Sequence, residues 1–135
     1  MSELKSGDGL RPVPVSVSGI PPANATYSQA TVLGNLVFVS GQLGIDPATG
    51  QLAGEDIESQ TRQALENVKA VLEAAGSSLE KVARCNVFYA DFALLARANA
   101  VYSQYFSAHK PAKTGVQVAR LDKGGLIEIE VTAAL

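Results

Sequence analysis

The sequence predicts an α+β fold, a sheet with two helices laid on one of its faces. Three observations carry that expectation. Apolar residues alternate at period two in several separate stretches, two longer segments repeat at helical period, and the order along the chain reads hairpin, helix, strand, helix, strand, strand. The chain has 135 residues, 47% hydrophobic and 18% charged, which suits one domain with one core and needs no disulfide to hold it.

Residues 1–22 contain Pro12, Pro14, Pro21 and Pro22 and no apolar period. They are expected to form a flexible arm with a short extended piece at Val13 to Val17, the domain proper occupying residues 23–135. Tyr27 to Val32 and Leu36 to Ser40 are strand-forming, and Gly34-Asn35 between them marks the tight turn of a hairpin. Asp46-Pro47-Ala48-Thr49-Gly50 reads as a loop. Ile57, Ala64, Leu65, Val68, Val71, Leu72 and Ala75 then recur at helical spacing, from a start near Asp56 to a stop at Gly76. Arg62, Gln63, Glu66, Lys69 and Glu73 fall on the solvated side of that helix. Ser77 to Glu80 has capping-box spacing and predicts one further helical turn.

Val82 to Tyr89 is β-branched and aromatic, and Asp91 is placed to cap a second helix running to about His109. Phe92, Leu95, Asn99, Tyr102 and Phe106 are spaced three and four apart, so Asn99 interrupts an apolar stripe. A buried amide needs hydrogen-bond partners, either backbone within the core or groups at the edge of a cleft. Thr114 to Leu121 and Leu126 to Leu135 alternate, and Asp122-Lys123-Gly124-Gly125 between them is turn-rich, so the simplest reading is a neighbouring antiparallel pair. On the second strand Ile127, Ile129, Val131 and Ala133 share one face, and Glu128 and Glu130 share the other. Two helices cover one face of such a sheet, and apolar residues on the other face point to burial against further copies in a symmetric oligomer.

A formal charge of -2 and a pI near 5.3 give no electrostatic footprint for nucleic acid. With one cysteine and one histidine the chain cannot build a disulfide or the usual zinc set, so no metal is expected. Cys85, inside an apolar run, reads as a buried structural thiol, and His109 at a helix end suits the dipole rather than catalysis. There is no glycine-rich phosphate loop, and Ser40 has no neighbouring base for a triad. No secretory signal or bilayer-length apolar run occurs, so a cytoplasmic protein is expected and Asn24-Ala25-Thr26 carries no weight as a glycosylation acceptor. Lys113 remains, with Glu128 and Glu130. They form either a surface ion pair across two strands, or a lysine that binds a small carboxylate beside an acid that orients water or moves a proton.

Tyr27-Ser28-Gln29-Ala30, Gly34-Asn35-Leu36-Val37-Phe38-Val39-Ser40-Gly41-Gln42, Asp46-Pro47 with Thr49-Gly50, Gln63-Ala64-Leu65-Glu66-Asn67-Val68, Asn99 with Tyr102, Tyr105 and Phe106, and Pro111-Ala112 through Ile127-Glu128-Ile129 resemble the Rid family, also called YjgF or L-PSP endoribonuclease. The resemblance runs from Pro22 to Leu135. It implies a chorismate-mutase-like α+β fold, a mixed sheet with two helices on one face, assembled as a homotrimer with a ligand cleft at each subunit interface. It also implies an enzyme that hydrolyses enamines and imines such as 2-aminoacrylate to 2-keto acids and ammonia, without metal or organic cofactor. By the same resemblance Lys113 stands where the family has a carboxylate-binding arginine, and Glu128 where it has the acid that positions water. Tyr27, Gly41 and Asn99 match cleft positions, and Gly115 stands at a ligand-binding position where a cysteine is usual. The change from Pro-Ala-Arg to Pro-Ala-Lys keeps the charge and removes the planar fork. It brings in the alternatives of a non-catalytic binder or sensor of a small carboxylate metabolite, or a deaminase of a different substrate. Endoribonuclease activity rests on the family name alone.

Overall fold

A computed structural model describes residues 5–6, 9–17 and 26–135. Its main sheet has six strands in the order β3-β4-β5-β8-β6-β7: β3 Val13–Val15, β4 Ala30–Leu33, β5 Leu36–Leu43, β6 Val82–Tyr89, β7 Ala112–Gln117 and β8 Ile127–Ala134. Lys5–Ser6 (β1) and Gly9–Leu10 (β2) form a small separate antiparallel ladder. Every neighbouring pair in the main sheet is antiparallel except β6 with β7. The helices are α1, Ile57–Ala74, and α2, Leu95–Tyr105.

α1 forms where its apolar period predicts. Asp56 caps it by accepting from the Ser59 N–H at 2.9 Å, and Gly76 follows its end at a positive φ of 88°. Ala64, Leu65, Val68, Val71 and Leu72 are fully buried against β5 and β8. Each large member of that stripe contributes about 1.5 to 3 kcal/mol of burial. α2 packs on α1, so both helices cover the same face of the sheet. It is shorter than its spacing suggests: a 3-10 turn at Phe92–Leu94, capped by Asp91, precedes it, and it ends at Tyr105. His109 lies beyond the helix, where Nε2 donates to the Val82 carbonyl at 2.5 Å. Cys85 is buried in the core. The β4–β5 hairpin turns at Gly34-Asn35, with Gly34 at φ 61°.

The last two strands are not neighbours, which corrects the antiparallel pair expected from sequence. β8 is buried on alternate residues and pairs on both edges, with β5 on one side and β6 on the other. β7 is exposed along its whole length and lies at the sheet edge beyond β6. The connection between them straddles the end of β6: Val118 N–H donates to the Tyr89 carbonyl at 2.9 Å, and Ala90 N–H donates to the Leu126 carbonyl at 3.0 Å. Period-two patterns predict strands without naming their partners.

β3 is the extended piece expected near Val13, and it is a strand of the sheet: Val13 pairs with Val32 and Val15 with Ala30. Val15 and Val17 pack against the core, so this part of the expected flexible arm is docked. The rest of that arm at 1–4, 7–8 and 18–22, with Asn24 and Ala25, lies outside the described residues.

Among the described residues nothing covers the sheet face opposite the helices. Leu36, Phe38 and Val116 point there and are 40 to 42% exposed. No helix among the described residues is long and apolar enough to cross a membrane.

Candidate functional site

Ile127 and Ile129 are committed to the core, so Glu128 between them projects from the open face of the sheet. It is in register with Phe88 on β6 and Leu43 on β5. The β5–β8 ladder shifts register between Val39 and Gln42, and the irregularity brings Gly41 against Glu128. A β-carbon on Gly41 would stand 2.8 Å from the Glu128 carboxyl carbon. The carboxyl is half-buried. Loss of solvation raises its pKa, and the nearby charges of Glu130 and then Asp122 raise it further. A carboxyl that holds its proton more tightly beside a cavity is a candidate for proton transfer.

That cavity has a volume of about 160 Å³ and is walled by Tyr27, Gly41, Gln42, Asn67, Lys123 and Glu128, among others. Its polar wall is tied down from below. Gln42 Nε2 donates to Gln29 Oε1 at 3.2 Å and to the Ser40 carbonyl at 3.1 Å. Asn67 Nδ2 donates from α1 to the Ile45 carbonyl at 2.8 Å and to the Leu43 carbonyl at 3.3 Å. Just past β5, Gly44 lies so close to α1 that a β-carbon there would be 2.4 Å from the Gln60 carbonyl oxygen. The strand exit is therefore held directly on the helix backbone.

Lys113 and Asn99 gather elsewhere, with Gly115 two residues further along β7. Lys113 is the second residue of β7 and is in register with Cys85, which is buried under the helices, so its side chain rises on the helix face. Its Nζ donates to Asn99 Oδ1 at 2.7 Å and stands 4.1 Å from the centre of the Tyr102 ring. Asn99 is half-buried, and its side-chain oxygen accepts from Lys113 rather than from backbone within the core. A depression of about 280 Å³ opens beside these groups between α2 and the 110–113 segment. Loss of solvation lowers the Lys113 pKa. The Tyr102 hydroxyl is buried and lacks a well-formed hydrogen bond; it faces the Cys85 thiol, and burial raises the pKa of both groups. Gly115 leaves room for an aromatic edge, since a β-carbon there would meet Tyr89 Cε2 at 3.0 Å.

One chain therefore carries two separate groups of candidate residues. Lys113 and Glu128 lie on opposite faces of the sheet, with β6 between their strands, a lateral offset of about 9 to 10 Å before the difference in face is counted. The structure joins Tyr27 and Gly41 to Glu128, and Asn99 to Lys113; Gly115 shares the Lys113 face of β7 but does not line that depression. Gln29, Gln42, Asn67, Asp122 and Lys123, not singled out from sequence as site residues, line the Glu128 cavity. Asn67 follows Ala64 by three and precedes Val71 by four, the same spacing signal that marks Asn99. No group of three His, Cys, Asp or Glu side chains among the described residues is arranged to hold a metal ion.

The model of the family described as endoribonuclease L-PSP matches residues 18–135. A RutC family protein of Pyrococcus horikoshii is 50% identical over 113 residues, covering 84% of this chain and 90% of the relative. A 2-iminobutanoate/2-iminopropanoate deaminase of Bos taurus is 41% identical over 119 residues, covering 88% of this chain and 87% of the relative. Among solved structures, Escherichia coli TdcF with bound serine superposes with a TM-score of 0.86 at 39% identity, covering 91% of this chain and 98% of that one.

Proposed function

The chain belongs to the endoribonuclease L-PSP family, the Rid or YjgF family, and from that footing we propose that it hydrolyses small 2-imino acids to 2-keto acids and ammonia. The site is a cleft between two subunits of a homotrimer, built on residues 23–135 with the 13–17 segment docked against them. One observation carries this reading. Glu128 and Lys113 belong to different hollows on opposite faces of one sheet, so a ligand can touch both only where two chains meet. The open face, with Leu36, Phe38 and Val116 exposed, is the surface available for that meeting. A relative that is an iminobutanoate deaminase and a neighbour that binds serine support a small amino-acid-like ligand.

The reaction follows from the groups. The partner subunit's Lys113 pairs with the substrate carboxylate, while Asn99 holds its ammonium in place. Glu128, as carboxylate, accepts a proton from a water molecule as the oxygen bonds to the imine carbon, and it passes that proton to the nitrogen, which receives the C=N electron pair, to give a carbinolamine. The same carboxylate then takes the hydroxyl proton and delivers it to the amine nitrogen. The C–N bond breaks as the oxygen forms the C=O bond, and ammonia leaves. Only water is consumed.

A second reading is favoured by one observation: Lys113 lacks a fork and already shares its ammonium with Asn99 and Tyr102, which suits binding of a carboxylate without turnover. Keto-acid and ammonia release from 2-iminobutanoate, generated in place by an amino-acid oxidase, decides between the two. Acceleration over the buffer rate is the expected result. Carboxylate binding with no acceleration would replace the hydrolase by a binder.

A further inference from the structure

A carboxylate offers two oxygens, and lysine approaches it as a single point rather than as a fork. Lys123, on the same chain, stands between the Glu128 cavity and the neighbouring hollow walled by Gly50, Leu52 and Gln60, and lines both. It is the only Lys or Arg among the described residues that line the Glu128 cavity. Its ammonium has no hydrogen bond or ion pair among those residues, and its one polar tie is through the backbone.

The backbone presents this side chain deliberately. Lys123 has φ 58° and ψ 18° and is the only non-glycine at positive φ among the described residues. Asp122 Oδ1 accepts from the Lys123 N–H at 3.0 Å, and Gly125 N–H closes the turn onto the Asp122 carbonyl at 3.0 Å. Gly125 in turn is pressed on Leu43, where a β-carbon would stand 2.8 Å from Cδ2. A turn with Gly124 and Gly125 next in line can place glycine at a left-handed position. A charged side chain there is kept against backbone preference, and such outliers cluster at ligand sites. Asp122 and Glu128 on the same wall would repel an incoming carboxylate, and Lys123 is the group placed to offset them.

We infer that Lys123 is a second, same-chain anchor for the ligand's carboxylate, taking one oxygen while the partner subunit's Lys113 takes the other. The ligand class is a small 2-oxo or 2-imino monocarboxylate. This rests on the reading that the Glu128 cavity faces the Lys113 pocket of another subunit. Lys123 acts on binding, and Glu128 keeps the proton transfers.

The test is calorimetric binding of 2-oxobutanoate, and of its neutral amide, to the full chain as wild type, Lys123→Asn and Lys123→Arg. Asparagine tolerates the left-handed backbone and removes the charge. Lys123→Asn should bind the carboxylate about tenfold more weakly, the loss of one charge-assisted hydrogen bond. It should bind the amide unchanged, and Lys123→Arg should recover the loss. With an imine substrate KM should rise by a similar factor at a kcat within about twofold, since orientation beside Glu128 is retained. Lys123→Asn binding 2-oxobutanoate as the wild type does would overturn the inference, as would a wild type with no preference for the carboxylate over its amide. Lys123-dependent binding without imine hydrolysis would instead remove the proposed activity and leave this anchor standing.

Discussion

Glu128 closes over Gly41 with no room for one more carbon: a β-carbon at position 41 would lie 2.8 Å from the carboxyl carbon and 3.1 Å from Oε2. Gly41→Ala should displace the carboxyl, and a displacement near 1 Å lowers imine hydrolysis on the order of a hundredfold. Because the contact is on the open face, the melting temperature should hardly move. Gly44→Ala provides the contrast, since its β-carbon would meet the Gln60 carbonyl oxygen at 2.4 Å and push β5 off α1. Overpacking of that kind costs about 1 to 3 kcal/mol, a fall in melting temperature of roughly 4 °C or more for a domain of this size. Equal melting temperatures for the two variants would refute the distinction.

Lys113→Ala should weaken 2-oxobutanoate binding by about 1.5 to 3 kcal/mol while the fold survives, because the side chain spans the edge of the sheet outside the core. Lys113→Arg restores the two-pronged donor and should raise kcat/KM for 2-imino acids several-fold. Equal hydrolysis by wild type and both variants, measured as ammonia release, would remove Lys113 from the mechanism.

The raised pKa of Glu128 fixes the sign of two pH effects. The folded chain holds this proton more tightly than the unfolded chain, so the stability it contributes is complete below the ordinary carboxyl range and is lost as pH rises through the raised value. Glu128→Gln, which mimics the protonated form, should therefore melt with the wild type near pH 4 and above it near pH 8, while losing activity. In the proposed mechanism the rate needs the ionised carboxyl, so the acid limb of kcat/KM should lie above the usual glutamate range near 4.3. Thermal melts at the two pH values and a rate profile check both. A Gln variant less stable at pH 8 would reverse the sign.

Phe38 is 40% exposed on the uncovered face, across the ladder from Thr132. Phe38→Lys should split the proposed trimer, because a desolvated ammonium at an apolar contact has no partner there. Light scattering should then read the 14.0 kDa chain, with imine hydrolysis lost as the two half-sites part. A monomer that keeps its activity would show the site to be complete in one chain.

The elements were legible where a local pattern is self-sufficient. α1 has caps at both ends and an unbroken apolar stripe, and the β4–β5 hairpin has its turn dipeptide, so each could be bounded within a few residues. Partners were another matter. β7 and β8 alternate alike, and nothing in Asp122 to Gly125 announces that the connection passes over the end of β6 rather than turning back beside β7. Lys113 and Glu128 could be named one by one, yet the face each occupies depends on register with Cys85 and Phe88, which lie far away in sequence. Lys123 is marked in the sequence only as part of a turn, because a positive φ leaves no trace when the residue is not glycine.

The last strand in chain order occupies the middle of the sheet. Leu36 must find Ala134, and Val82 must find Ala133, so the halves built from β3–β5 and from β6–β7 share no ladder until β8 arrives. Until β8 pairs, each half exposes one of the two strand edges that β8 will fill, that of β5 and that of β6. Such long-range closure makes folding slow and concerted. Pulse-labelled hydrogen exchange should find the amides of β5 and β6 that face β8 gaining protection together with β8 and not before. Early protection of either edge would mean that something else covers it first.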